Sequence, residues 1–178
     1  MDYNFSGDFK SIRDILDISQ KEFAKVLDTE QKTISNIESK DSYPSKTIVE
    51  SAFTYAFKKD VKINKLKELL CRDNLSHNEK LLFHGAKGEI KGDIDVNFSR
   101  GNNDFGKGFY TGESYEQAVS FISTYNDPSV YFICFDDNDL RCKKYTVDGE
   151  WMMTIAYYRG SLEEYENHPI IKKIIAES

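Results

Sequence analysis

The feature that most constrains this chain is a change of pattern near residue 78. Before it, apolar residues recur at spacings of three and four; after it, short apolar runs alternate with glycines and acidic turns. A period of 3.6 buries one stripe of a helix, whereas short β-prone runs bury one face of a sheet, and neither pattern can be satisfied by the other geometry. The chain is therefore expected to be α+β, with a helical bundle over residues 1–75 and a sheet-containing domain over 79–178. A length of 178 residues admits two such small units. With 39% hydrophobic and 13% aromatic residues and only three prolines, the chain can build real cores and has no long disordered tract.

In the first part, Phe9, Ile12, Ile15 and Leu16 fall on one helical face. Ser19-Gln20-Lys21-Glu22 has the form of a capping box, in which Ser19 accepts from the third helical N–H and Glu22 reaches back to the Ser19 N–H. The helix it opens should bury Phe23, Ala24 and Leu27. After a turn at Asp28-Thr29, a third helix places Ile34 and Ile37 inward and Gln31, Lys32, Thr33, Ser35 and Asn36 largely outward. Tyr43-Pro44 ends that segment. Thr47-Ile48-Val49-Glu50 then opens a longer helix through Ala56, followed by one carrying Ile63, Leu66, Leu69 and Leu70.

The stretch from Ser19-Gln20-Lys21-Glu22-Phe23-Ala24 to Thr33-Ile34-Ser35-Asn36-Ile37-Glu38 resembles the helix-turn-helix of the phage-repressor-like (Xre) family, over about sixty residues. The resemblance implies that residues 30–39 lie in a DNA major groove, with Gln31, Lys32, Thr33 and Asn36 reaching base edges or phosphates, and that residues 19–40 carry the DNA contact. The family usually places a glycine in the turn or just after the recognition helix, where this chain has Asp28-Thr29 and Ser39-Lys40-Asp41. Of 24 basic and 30 acidic residues, 13 of each precede residue 79, so the net charge of −6 lies wholly in the second part. Bulk electrostatics therefore cannot hold nucleic acid, and any DNA contact must be local. A helical interaction or dimerisation module is the alternative reading, and a homodimer is a possible partner state.

In the second part, Leu81-Leu82-Phe83-His84-Gly85 reads as a buried strand ending in glycine. Gly106-Lys107-Gly108-Phe109-Tyr110-Thr111 reads as a second strand entered through two glycines. Ser114-Tyr115-Glu116-Gln117 is another capping box, opening a helix with Ala118, Val119, Phe121 and Ile122 on its inner face. Residues 129–135 and 142–147 read as further strands, and 151–158 as an aromatic helix.

Phe83-His84-Gly85, Ser99-Arg100, Asp104-Phe105-Gly106-Lys107-Gly108-Phe109-Tyr110-Thr111 and Glu116-Gln117-Ala118 together resemble the ADP-ribosyltransferase fold of the diphtheria-toxin and poly-ADP-ribose polymerase branch. The resemblance extends from about Lys80 to Ser178 and points to a bacterial family of toxin-like relatives, many encoded beside small antidote proteins. It implies NAD as ADP-ribose donor, a toxin–antitoxin or phage-defence role, and an antitoxin protein as partner. By position, His84 matches the histidine that hydrogen-bonds a ribose hydroxyl, and Gly85 the glycine whose backbone clamps the nicotinamide carboxamide. Tyr110 matches the tyrosine along the nicotinamide and Phe121 an aromatic stacking on it. Arg100, between the two core strands, is placed to meet the pyrophosphate. Ala118 stands where the polymerases carry a serine that helps hold the carboxamide.

The family chemistry also needs a late-strand glutamate to orient the ribose as oxocarbenium character develops. No match to it is found, and Glu150 in Asp148-Gly149-Glu150-Trp151 is the nearest acidic candidate, at a position that also suits a helix start. Tyr110 and Glu150 are thus the candidate catalytic residues, on a transferase-like sheet expected to lack its last strands and to be catalytically weak. A catalytically degenerate regulator that binds NAD or a protein partner is the alternative. The three cysteines and three histidines have no metal-ligand spacing. No apolar run approaches a membrane span, and Met1-Asp2-Tyr3-Asn4-Phe5 lacks the regions of a secretory signal, so a cytoplasmic protein without a membrane partner is expected.

Overall fold

A computed structural model describes residues 4–176 and divides into two compact units, Met1–Asn74 and Leu75–Ser178. The described residues carry eight α-helices and one small antiparallel sheet, an α+β chain.

The first unit is built from five helices, α1 (Phe5–Leu16), α2 (Gln20–Val26), α3 (Gln31–Glu38), α4 (Lys46–Lys58) and α5 (Ile63–Asp73). Their starts follow local chemistry. Asn4 caps α1 and accepts from Gly7 N–H at 3.1 Å. Ser19 and Glu22 form the reciprocal capping box of α2. For α4 the cap is Ser45, which accepts from Ile48 N–H, so this helix starts ahead of the expected Thr47. The core joins Phe9, Ile12, Phe23, Ala24, Leu27, Ile34, Ile37, Ala52, Ala56 and Ile63, with the Phe9 and Phe23 rings edge to face at 5.7 Å.

The two places where the resemblance leads one to look for glycine adopt the backbone that glycine favours. Asp28 has φ 51° and Lys40 φ 67°, so non-glycine residues hold left-handed turns after α2 and α3. Some inward expectations fail. Ile15 is exposed, and on α5 only Ile63 is buried among the apolar residues, while Leu69 and Leu70 are exposed. An ion pair contributes to this: Lys67 Nζ lies 2.6 Å from the buried carboxylate of Asp8 on α1, so part of the inward face of α5 is polar. Glu68, also buried, is held within α5 by Lys65 and Arg72.

In the second unit β1 (Glu79–Ala86) pairs antiparallel with β2 (Ser129–Asp136), in a register that sets Phe83 opposite Phe132 and Gly85 opposite Val130. Helix α6 (Tyr115–Ile122), capped by Ser114, covers one face of this ribbon. On that face the Phe83 ring meets Tyr115 at 5.9 Å and Phe132 at 5.1 Å. Helices α7 (Gly149–Tyr158) and α8 (Pro169–Ala176) follow, with Thr154, Ile171 and Ile174 buried.

Two expected strands do not form. Residues 106–111 are a loop, and only the bridge between Phe83 and Gly112 remains, with N–H···O bonds of 2.7 and 2.9 Å in the two directions. The loop curls because Gly106 has φ 76° and the Tyr110 hydroxyl closes back on it, donating to Gly106 O at 2.7 Å and accepting from Phe105 N–H at 3.1 Å. Residues 142–147 are likewise irregular. Tyr145 stacks on Phe105 at 5.4 Å and Lys143 Nζ lies 4.9 Å from the centre of the Tyr145 ring, so aromatic packing replaces ladder pairing there.

Candidate functional site

Alternation along β1 sends neighbouring side chains to opposite faces. Phe83 faces α6, so His84 emerges on the other face with Tyr131 of β2, the two rings 6.4 Å apart. There the second unit has a cavity of about 610 Å³, with His84, Gly85, Ile90, Phe98, Ser99 and Phe109 among its walls. That volume is of the order that small organic ligands occupy.

His84 is oriented by two contacts. Its Nδ1 lies 2.6 Å from the backbone carbonyl oxygen of Tyr110, and its ring stacks on Phe109 at 4.0 Å and 26°. A carbonyl only accepts, so Nδ1 carries a proton, and the neutral tautomer that fits this contact has Nε2 as its acceptor.

Gly85 has a packing role and a directional one. A Cβ built on it would meet the Ala118 carbonyl oxygen at 2.6 Å and Ile122 Cγ2 at 2.9 Å, so only glycine lets α6 lie this close to β1. Because the N–H and C=O of Phe83 point to Gly112 and away from β2, those of Gly85, two residues on, point to the same edge. Among the described residues no strand covers that edge at Gly85.

The other candidates lie elsewhere. Tyr110 holds His84 through its backbone, but its hydroxyl closes its own loop, and the cavity wall at this point is the adjacent Phe109. Sequence reading missed Phe109 because a strand through 106–111 would alternate and present Tyr110; in a loop the neighbouring ring takes the wall. Phe121 is 80% exposed on α6 and is not part of the cavity wall, while Ala118 and Ile122 take the inner face.

Arg100 is exposed beside the wall residue Ser99, and its carbonyl accepts from Asn103 Nδ2 at 2.9 Å. Both carboxylates near it in sequence are engaged: Asp95 accepts from Asn97 N–H, and Asp104 takes Arg159 Nε at 2.8 Å. Glu150 sits in the first turn of α7, 3.3 Å from Lys173 and 3.5 Å from Lys143, away from the cavity. Carboxylates that do border the cavity are Glu89, Asp93 and Asp95, interleaved with Lys87 and Lys91, so its rim carries both signs of charge.

In the first unit, Gln31 and Lys32 are exposed on α3, and Thr33 and Asn36 half-buried. All four lie on α3, with Lys32 and Asn36 turned away from the buried Ile34 and Ile37 and Gln31 and Thr33 flanking that stripe.

Residues 81–178, more than half of the chain, match the model of a family described as a protein of unknown function (DUF3990). The chain belongs to this family. The DUF3990 segment contains the whole cavity wall, from His84 to Phe109, together with α6, β2, α7 and α8. Residues 9–51 match a helix-turn-helix model, which covers α1 from Phe9 on, α2, α3 and the start of α4. This DUF3990 chain thus carries a helix-turn-helix head. No curated protein and no solved structure matches it. Among the described residues no helix is long and apolar enough to cross a membrane.

Proposed function

We propose that this chain couples a DNA-binding head to an NAD-dependent ADP-ribosyltransferase-like unit and serves as the toxin of a toxin–antitoxin or defence pair. The observation that carries the second half is the His84-Gly85 step at the cavity wall. It offers an oriented ring acceptor at Nε2 and, one residue later, a backbone N–H and C=O on an open edge. A ribose hydroxyl donating to Nε2 and a nicotinamide carboxamide using both Gly85 backbone groups would be read there without any added charge. In the reaction the C1′–N bond to nicotinamide breaks, the bonding pair leaves with the ring, and an acceptor nucleophile forms the new bond at C1′.

Calorimetry with NAD tests this reading. The native chain should bind NAD, and His84→Ala should weaken binding about tenfold or more through the lost charge-free hydrogen bond and stacked ring. Label transfer from NAD to lysate components should be slow, because no carboxylate oriented on the ribose has been assigned. Glu150→Gln should leave that rate unchanged, since Glu150 is engaged by Lys173 and Lys143 outside the cavity. A native chain that does not bind NAD defeats the proposal, and a rate abolished by Glu150→Gln would make Glu150 the catalytic carboxylate.

The placement of Glu150 favours a second reading, a catalytically degenerate NAD- or partner-binding regulator. It is distinguished by NAD binding without nicotinamide release. For the head, duplex DNA binding is expected to weaken with salt, and Lys32→Glu should reduce affinity roughly tenfold and flatten the salt slope by about one unit. Binding indifferent to both salt and this charge reversal would remove α3 from the interface.

A further inference from the structure

The walls of the cavity include an aromatic ring that the transferase resemblance does not assign. Phe98 lines the cavity and is nevertheless 91% exposed. It belongs to a strap that leaves β1 after Ala86 and runs to Ser99, and every residue from 91 to 98 in that strap is exposed, Ile94 and Val96 included. So much apolar surface in one short segment is unusual when it borders a cavity instead of packing into a core.

The strap is nonetheless tethered at both ends. Ile90 N–H donates to the hydroxyl of Tyr131 at 2.6 Å, and Tyr131 is buried on β2, on the face that carries His84. At the far end Ser99 Oγ accepts from Gly108 N–H at 2.8 Å, which ties the strap to the loop that supplies Phe109. Between the tethers Gly92 has φ 81°, a backbone state open to glycine, and Asp95 caps the short turn Val96–Phe98 through Asn97 N–H. Phe98 is thus held at the cavity wall by fixed ends while its own ring has little protein to pack on.

From this arrangement we infer that Phe98 is the stacking residue for a planar heteroaromatic ring bound in the cavity, the part that sequence reading gave to Phe121. The inference rests on the nucleotide reading of the cavity and deepens it by naming the residue that selects a ring. An aromatic face suits a flat heterocycle and is further favoured when that ring carries positive charge, as an N-alkylated pyridinium does. Phe121, exposed on α6 and absent from the wall, cannot fill that part.

Calorimetry on the full chain with four probes tests the inference: NAD, free nicotinamide, adenosine, and ribose 5-phosphate as a probe without a heteroaromatic ring. Phe98→Ala should weaken the planar probes that bind the native chain by roughly 5- to 50-fold, as loss of one stacking face does for bases, and leave ribose 5-phosphate unchanged. Phe98→Tyr should restore affinity to within about threefold, because the stacking face returns. Melting temperature should be the same in all three proteins, since the ring is in water in the free state. Planar-probe affinity unchanged by Phe98→Ala, or no planar probe bound by the native chain, overturns the inference. If NAD fails to bind while nicotinamide or adenosine binds in a Phe98-dependent manner, the NAD reading falls and the stacking role stands. If NAD binding is lost in His84→Ala and unaffected in Phe98→Ala, the reverse holds.

Discussion

Gly85→Ala is expected to destabilise the second unit by about 2–3 kcal/mol in the absence of any ligand. The added methyl would stand 2.6 Å from the Ala118 carbonyl oxygen and 2.9 Å from Ile122 Cγ2. The first of these is backbone inside α6 and cannot rotate away, so relief requires the helix to lift from β1. That motion would loosen the Phe83–Tyr115 contact on the same face. The single tryptophan, Trp151, lies on α7 in the second unit, so its emission during urea unfolding reports on that unit. A control is available at Gly149, the first residue of α7, where a Cβ meets nothing within 4 Å; Gly149→Ala should be neutral or slightly stabilising. If Gly85→Ala proved as harmless as Gly149→Ala, the close approach of α6 would not be what requires glycine, and the ligand-facing backbone would be left as its reason.

Gly85 also illustrates how far the sequence could be read. A glycine ending an apolar strand signals close approach of something to the backbone, and close approach there is. What approaches from one side is the protein's own helix, a fact that depends on where α6 packs and that no local pattern encodes. The capping box at Ser19 and Glu22 was legible because all its atoms lie within four residues. The inward residues of α2 and α3 were legible because helical period alone selects them, and the α+β character followed from the change of period near residue 78.

Failures occur where long-range packing overrides period. Leu69 and Leu70 continue the apolar spacing of α5 but are exposed, and part of the inward face of α5 goes to the Asp8–Lys67 pair. The run Gly106-Lys107-Gly108-Phe109-Tyr110-Thr111 has β-prone residues, but a tyrosine hydroxyl that bonds the backbone four residues earlier closes it into a loop. This one error moved the expected wall residue from Phe109 to Tyr110. Phe121 failed differently: α6 is short, its buried stripe is Ala118 and Ile122, and one position along the helix turns a side chain by about 100°, enough to carry it from the core to solvent.

In the first unit, the largest single loss should follow Arg13→Met or Glu38→Gln, about 3 kcal/mol each, because each leaves the other charge without its main partner in a largely buried place. Arg13 Nε and Nη2 donate to the two Glu38 carboxylate oxygens at 2.6 and 2.8 Å, and Nη1 donates to the Ile18 carbonyl oxygen at 3.1 Å. Gln20 Nε2 adds a third donor to Glu38 at 2.8 Å, so α1, α2 and α3 meet at one carboxylate.

Burial alone would raise the Glu38 pKa, but the hydrogen bonds from Arg13 and Gln20 outweigh it and hold the carboxyl below its usual 4.5. A carboxyl depressed in the folded state stabilises fully above its unfolded value, and the contribution disappears as pH falls through the folded one. The stability gap between the native chain and Glu38→Gln should therefore be widest above about pH 4.5 and shrink below it. Asp8 acts in the opposite direction: burial raises its pKa more than Lys67 lowers it, so its contribution is greatest at low pH and falls as pH rises through the raised value. In such a titration Trp151 emission follows the second unit, and the far-UV ellipticity lost without a change in that emission follows the first. A gap that stayed constant from pH 7 to pH 3 would mean that the Glu38 charge contributes nothing to joining the three helices. A gap that narrows would show the charge, beyond the shape of the side chain, fastening α3 and its exposed Gln31 and Lys32 to the rest of the head.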